Sequence, residues 1–304
     1  ATLSGGLKIP KIVSEIGGEF DFCLVDWRMI RFCVKQLKRV GLKWSLIDRG
    51  PPAFPGFLPK IQKLQWRNSW HISSNNSKLG FVVSERHGDL VRRETRFSGK
   101  LVDIQAGVPD HWCDSADKKE PRGELIFCYS GAIDRLRGLE EIVRLADHII
   151  DLEIPSRILV LGTGDYAGEI KKQSLNRSNL EYLGVISDPD DVEAILQKCH
   201  VGIMPMPDKE IWNISSAIKL PEYLSKGMII MGKDHPGNRR GQGDFYLLSE
   251  GDWVVDGINM ISNLLESGKW RDISCKSNKK SKQMTWSVQA RRLLDCIEDT
   301  LSNH

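Results

Sequence analysis

Apolar residues in this chain gather into short unbroken runs, separated by stretches in which they recur every three or four positions. In the second half the runs are LIFCYSG, RILVLGTG, LEYLGVI, HVGIMPMP and GMIIMG. Helical spacing fills the intervals, in LRGLEEIVRLADHII, YAGEIKKQSL, DPDDVEAILQKC and SSAIKLPEYLSKG. Runs that are apolar throughout suit strands buried on both faces, as in a parallel sheet. Strict alternation of strand and helix implies right-handed crossovers and a doubly wound α/β domain. The first half repeats the theme less fully. FDFCLVDW, LKWSLID, LGFVVS and KLVDIQAGV predict strands, with MIRFCVKQLKRVG, LPKIQKLQWRNSW and HGDLVRRE as helices between them.

The polar stretch CDSADKKEPRG carries a proline and marks a linker over 113–123. We therefore expect two α/β domains with a cleft between, over 1–112 and 124–283. A capped amphipathic helix closes the chain over 284–304, with Trp286, Val288, Leu293, Leu294 and Ile297 as its docking side.

Composition narrows the function. With 304 residues, 40% hydrophobic and 27% charged, the chain is ordinary for a protein able to bury full cores. A net charge of +3 with no basic block argues against nucleic acid as a partner. The late cluster KWRDISCKSNKKSKQ is expected to be a solvated linker, with weak adhesion to an anionic membrane as the minority alternative. Seven scattered cysteines show neither metal-ligand spacing nor a disulfide framework, which fits a reducing cytoplasm and no bound metal. No apolar stretch reaches 18 residues and no signal peptide is evident.

Open α/β sheets bind ligands beyond the carboxyl ends of their strands, which singles out four places. LVLGTGDYAGE sets Gly162 and Gly164 between strand and helix, where glycine lets backbone approach a ligand. The third glycine falls at Gly168 rather than at Ala167, and the next strand has its acid, Glu181, near its start, so a nicotinamide site is not indicated. FCYSGAIDRLRGLEE sets Gly131 after a strand, with Arg135 and Arg137 as guanidiniums suited to a diphosphate or, equally, as solvated loop residues. PMPDKEIWNISSAIKLPEY leads through Ser215 and Ser216, good caps for a helix starting near Ile218, to Lys219 and Glu222. The Glu222 carboxylate either suits the helix dipole or accepts from two vicinal hydroxyls of a ribose. LEYLGVISDPDD exposes backbone at 184–187, around Val185, to the edge of a nucleobase.

The order YSGAIDRLRGLEEIV, ILVLGTGD, YLGVISD, VGIMPMP, IKLPEYLSKGMII and TWSVQARRLLDCI resembles the nucleotide-sugar-binding half of retaining GT-B glycosyltransferases of family four. The likeness covers 79–304 well and the first 78 residues loosely. It implies two Rossmann-like domains, transfer of a sugar from a nucleoside-diphosphate donor with retention, and no bound metal or cofactor. The acceptor would be a saccharide, a lipid-linked molecule or a small molecule, in polysaccharide or cell-envelope assembly. The location would be cytoplasmic, with peripheral contact at the inner membrane face as an option. Arg137 matches the family's basic residue on the diphosphate, Glu222 the second glutamate of its pair, and Gly131, Ser215 and Ser216 the backbone contacts.

The departures are specific. Ala132 stands where the family has arginine or lysine, with Arg135 as a substitute. Ile214 replaces the first glutamate, and Ala106 an asparagine. Asp48 and Arg49 occupy the place of a histidine, giving Asp48 as a catalytic candidate or a turn acid before Pro51 and Pro52. His87 is expected on the surface at a helix start. The opening ATLSGGLKIPKI places no strand before its glycines, as in a fragment or a reduced acceptor domain. Two other classes stay open: a non-catalytic relative binding a nucleotide sugar or a partner subunit, and a sugar-nucleotide epimerase.

Overall fold

In the computed structural model, residues 8, 10–15, 19–52, 57–114 and 120–302 are described; the opening glycines and the middle of the expected linker lie outside them. The chain divides into two units, the first formed by 1–105, 214–216 and 289–304 and the second by 106–213 and 217–288. The net charge of +3 divides unevenly. Unit 1 carries 20 Lys and Arg against 12 Asp and Glu, net +8, and unit 2 carries 23 against 28, net −5.

Unit 1 is a four-stranded parallel sheet in the order β1-β2-β3-β4, with β1 at Phe22–Asp26, β2 at Lys43–Ile47, β3 at Leu79–Val82 and β4 at Lys100–Asp103. Helices α1 (Ile30–Arg39), α2 (Phe57–Asn76) and α3 (Glu85–Thr95) make the crossovers. Ile30, Cys33 and Leu37 line one face of α1, and Trp66 and Trp70 stand one turn apart on α2, all within the buried core. The Ser84 hydroxyl caps α3 by accepting from the His87 N–H at 3.0 Å. His87 is not a surface residue: in that first turn its ring is fully buried, with Nε2 3.4 Å from an Asp48 carboxylate oxygen.

The closing helix α11 (Trp286–Ser302) also departs from expectation. Leu293, Cys296 and Ile297 pack on Leu79, Phe81 and Val102, while Trp286, Val288 and Leu294 are exposed. Buried Gln289 extends that stripe by one turn, and its Oε1 accepts from the Gln105 N–H at 2.9 Å.

Unit 2 is a six-stranded parallel sheet in the order β10-β9-β8-β5-β6-β7. Its strands are β5 (Leu125–Ser130), β6 (Ser156–Leu161), β7 (Leu180–Gly184), β8 (Val201–Met204), β9 (Ile229–Lys233) and β10 (Tyr246–Ser249). Helices α4 (Glu140–Asp151), α5 (Ala167–Ser174), α6 (Pro189–Lys198), α7 (Glu210–Asn213) and α8 (Lys219–Ser225) intervene, followed by α9 (Trp253–Glu266) and α10 (Trp270–Ser281). The order runs outward from β5 in one direction and from β8 in the other. The carboxyl ends of β5 and β8 therefore flank the topological switch point, where crevices form in such sheets.

The lysine-rich stretch is helix α10 rather than a linker. Its buried side is Trp270, Ser274, Ser277 and Ser281. Ser274 and Ser277 donate to the Gly227 and Met228 carbonyls, each at 2.7 Å, and thereby fix the turn between α8 and β9.

Two loops cross tightly at the switch point. Gly131 and Gly162 both have left-handed φ, +134° and +131°, and a Cβ on Gly162 would overlap the Gly131 carbonyl. Gly162→Ala should therefore lower stability by about 2–4 kcal/mol, from strain plus overlap. Urea unfolding checks this, and an unchanged midpoint would mean that the loops separate freely.

Candidate functional site

At the end of β5 the backbone is held from three sides. The Ser130 N–H donates to the Tyr223 hydroxyl at 2.9 Å, the Gly131 N–H to Leu161 O at 2.9 Å, and the Ile133 N–H to Thr163 O at 2.9 Å. On β6, the Gly162 N–H donates to Gly184 O at 2.7 Å and its carbonyl accepts from the Tyr182 hydroxyl at 3.0 Å. Gly164 packs so closely on Ile133 and Asp134 that it too has no room for a side chain. The missing side chain of Gly131 leaves an opening that Lys219 enters.

The loop after Gly131 makes a single 3-10 turn, Arg135–Arg137, before Gly138 in the left-handed region. Arg137 is oriented by two contacts: its Nε lies 3.3 Å from an Asp134 carboxylate oxygen, and its guanidinium stacks 4.8 Å from the Trp212 ring centroid. Trp212 is itself placed by its indole N–H, which donates to Leu136 O at 3.1 Å. Arg135 is turned elsewhere. It is exposed, with its guanidinium 5.0 Å from the Tyr166 ring centroid and its backbone N–H on Asp165 at 2.9 Å.

Helix α8 brings the other charges. It begins after Ile218, which makes no side-chain cap, so neither Ser215 nor Ser216 is the cap residue. Both serines group with unit 1. Lys219 is 7% exposed, its side chain lies against Gly131, and its ammonium sits 5.5 Å from the Tyr129 ring centroid. Glu222 follows one turn later on the same face and is partly buried. Burial pushes the Glu222 carboxyl up to about 7, with Lys219 opposing. Burial also draws Lys219 down to about 8, helped by Arg137 and opposed by Glu222 and Asp134.

The structure thus gathers Gly131, Arg137, Lys219 and Glu222, with Gly162 and Gly164 supporting the turns. Val185 follows β7 and is 62% exposed. Asp134, Tyr129, Trp212 and Tyr223 were not anticipated. Tyr129 and Tyr223 look like plain core residues in the sequence, and only Asp134, three positions before Arg137, carried a local signal. Among the described residues no cluster of His, Cys, Asp and Glu could hold a metal ion.

Asp48 lies in unit 1 and is fully buried. One carboxylate oxygen accepts from the Trp66 and Trp70 indoles at 2.6 and 2.9 Å, and the other from the Gly50 N–H at 2.9 Å. Burial, the largest influence, would raise its pKa. The hydrogen bond and charge of His87, with the hydrogen bonds from Trp66 and the Gly50 N–H, outweigh it and hold the carboxyl below its usual range.

No family model and no curated sequence matches the chain. Solved structures do. A glycosyltransferase from Rickettsia africae ESF-5 aligns with TM-score 0.73 at 13% identity, over 98% of this chain and 82% of that one. The fold is GT-B. Sucrose-phosphate synthase from Thermosynechococcus elongatus aligns with TM-score 0.67 at 14% identity, over 98% and 79%. Anabaena HepE, in complex with UDP and glucose, aligns with TM-score 0.68 at 10% identity, over 95% and 81%. At such identities the likeness establishes the GT-B architecture.

The raised carboxyl of Glu222 has a measurable consequence. A folded-state pKa above the ordinary 4.5 gives stability that is present below pH 4.5 and lost as pH rises through about 7. Glu222→Gln removes that titration. Its advantage over wild type should grow across this window to roughly 1–2 kcal/mol, read by urea unfolding from pH 4.5 to 8. Parallel curves would show that the carboxyl ionises normally in the folded protein.

Proposed function

We propose that this chain binds a nucleoside-diphosphate sugar at the switch point of unit 2 and transfers the sugar, with retention, to an acceptor. The observation that carries this reading is the gathering of Arg137 and Glu222 about Lys219, whose side chain lies against Gly131 at the end of β5. Solved GT-B neighbours support it, one of them holding UDP and glucose. In this reading Arg137 contacts the diphosphate through a guanidinium that Asp134 and Trp212 already orient. Negative charge grows on the departing diphosphate as the glycosidic bond breaks, and a fixed cation lowers the energy of that state. Glu222 accepts from the ribose hydroxyls, and those hydrogen bonds favour the ionised carboxylate against the burial that raises its pKa. Backbone around Val185 faces the base.

No metal or cofactor is called for, and the acceptor is a saccharide, a lipid-linked molecule or a small molecule. Asp48, enclosed by two indoles, is assigned to holding unit 1 together. Assembly of polysaccharide or cell envelope, in the cytoplasm and with peripheral membrane contact, is the setting this reading implies. Among the described residues no helix is long and apolar enough to cross a membrane.

The second reading is a relative that binds a nucleotide sugar without transfer. Ile214 favours it: where the resemblance calls for a glutamate, an apolar side chain is buried in the core of unit 1.

Calorimetric titration with UDP, GDP and their sugar conjugates is the test. Binding of one nucleotide family is expected, weakened about tenfold or more by Arg137→Ala and by Glu222→Gln, which is at least about 1.4 kcal/mol. Absence of binding by every nucleotide overturns the proposal. Binding without release of nucleoside diphosphate across an acceptor screen selects the second reading.

A further inference from the structure

The amino ends of the unit 1 strands surround a hollow of their own. Phe22 opens β1, Lys43 and Trp44 open β2, and Lys78 immediately precedes β3. Together with the carboxyl ends of α1 and α2 they enclose a cavity of about 460 Å³, a size typical of sites for small organic ligands. Arg137, Lys219 and Glu222 all belong to unit 2, so this cavity is separate from them. We propose that it binds the phosphate ester of a small polyol, free in solution or as the headgroup of a lipid.

Charge is the first observation. Lys38, Lys43 and Lys78 line the cavity, and no aspartate or glutamate does. The Lys38 and Lys78 ammoniums make no hydrogen bond or ion pair among the described residues. Lys43 Nζ donates to Leu301 O at 3.5 Å, beyond the usual length of such a bond. Asp299, next to the lining residue Thr300, pairs with Lys100 at 3.8 Å. Helix α1 adds Arg31, Lys35 and Arg39 and carries no acid. Several ammoniums gathered without a carboxylate suit a phosphate, which lysine binds as a point charge.

The walls are the second observation, and they select an ester over a bare anion. Leu37 and Trp44 are buried, Phe22 and Leu42 half-buried, and all four give the cavity apolar surface. The end of α2 supplies Ser74, Asn75, Asn76 and Ser77. Asn76 Nδ2 donates to Ile72 O at 2.6 Å, and Asn75 Nδ2 lies 3.4 Å from a His71 ring nitrogen. Both carboxamide oxygens are thereby left to accept from hydroxyls.

The plainer account sets these lysines at helix carboxyl ends, where cations suit the dipole. It covers Lys38, in the last turn of α1, and Lys43, on the last turn of α11. Lys78 belongs to no helix, and a dipole gives no reason for the hollow that the three share.

The experiment titrates the full chain calorimetrically with inorganic phosphate, glycerol 3-phosphate and glycerol. Co-sedimentation with phosphatidylcholine vesicles, with and without phosphatidylglycerol, tests the lipid source. The variants are Lys38→Gln with Lys78→Gln, Lys78→Gln alone, Arg137→Ala, and Lys35→Gln, an exposed charge of α1 outside the cavity lining. Thermal unfolding checks that each is folded, and Lys78→Gln alone carries the comparison should the double variant be unstable. Glycerol 3-phosphate should bind more tightly than inorganic phosphate, and glycerol should not bind. The double variant should bind the ester about tenfold more weakly at unchanged Tm, while Lys35→Gln and Arg137→Ala bind it as wild type does. Sedimentation that needs both phosphatidylglycerol and the two lysines identifies a lipid source; ester binding without it identifies a soluble one. Absence of both ester binding and such sedimentation overturns the proposal. So does an equal loss in Lys35→Gln, which would mean a diffuse basic surface, or equal affinity for phosphate and its ester. Loss in Arg137→Ala alone would place the phosphate in unit 2 and also overturn it, leaving the donor reading untouched.

Discussion

The Gly131 carbonyl lies against the α-carbon of Gly162, and the rest of the site depends on that contact. Neither residue can carry a side chain: a Cβ on Gly162 would meet the Gly131 carbonyl, one on Gly131 would meet the end of Lys219, and both hold a φ that L-residues avoid. The vacancy beside Gly131 is what Lys219 enters. A methyl group at either glycine would therefore alter the electrostatics of the opening, through the position of an ammonium, as well as the packing of two loops.

Helix α8 has seven residues, too few to be stable by its own hydrogen bonds. Its position comes from neighbours. Tyr223 accepts the Ser130 N–H, so the helix is bonded to the strand whose end it serves. Lys226, fully buried, donates to Trp112 O at 2.8 Å and pairs with Glu193. Ser274 and Ser277 of α10 hold the exit turn. Polar bonds made in low dielectric are directional and strong, which suits a helix that has to present Lys219 and Glu222 at fixed places.

Much of the fold was legible because parallel strands buried on both faces leave unbroken apolar runs, and each run quoted from unit 2 is a strand of its sheet. What escaped did so for physical reasons. Helix α10 hides its buried side because that side is made of serines, which contribute nothing to an apolar period yet satisfy carbonyls. His87 has the composition of a surface helix start, and only the fold brings a buried carboxylate to it. In α11 the docking stripe begins with Gln289, a polar residue chosen for a hydrogen bond to Gln105. Of the candidate site, the glycine turns, Arg137 and Glu222 stood at strand ends where the alternating pattern drew attention. The burial of Lys219 against Gly131 could not be seen in the sequence, since it depends on how the loop after β5 meets α8. The modest net charge likewise concealed a division into +8 and −5.

Unit 1 is discontinuous. Its sheet comes from the first 105 residues, but Leu293, Cys296 and Ile297 of α11 cover Leu79, Phe81 and Val102. Unit 2, interrupted only by the tripeptide 214–216 that groups with unit 1, is fully made once residue 288 has been added. On a ribosome, where domains ordinarily mature in the order of their synthesis, this chain inverts the sequence. The later unit can close while the earlier one still waits for its last helix, with an apolar sheet face uncovered for the whole time that about 180 residues are being added at roughly 5–20 per second. Nascent-chain protection over that interval is thus part of what this architecture demands of a cell.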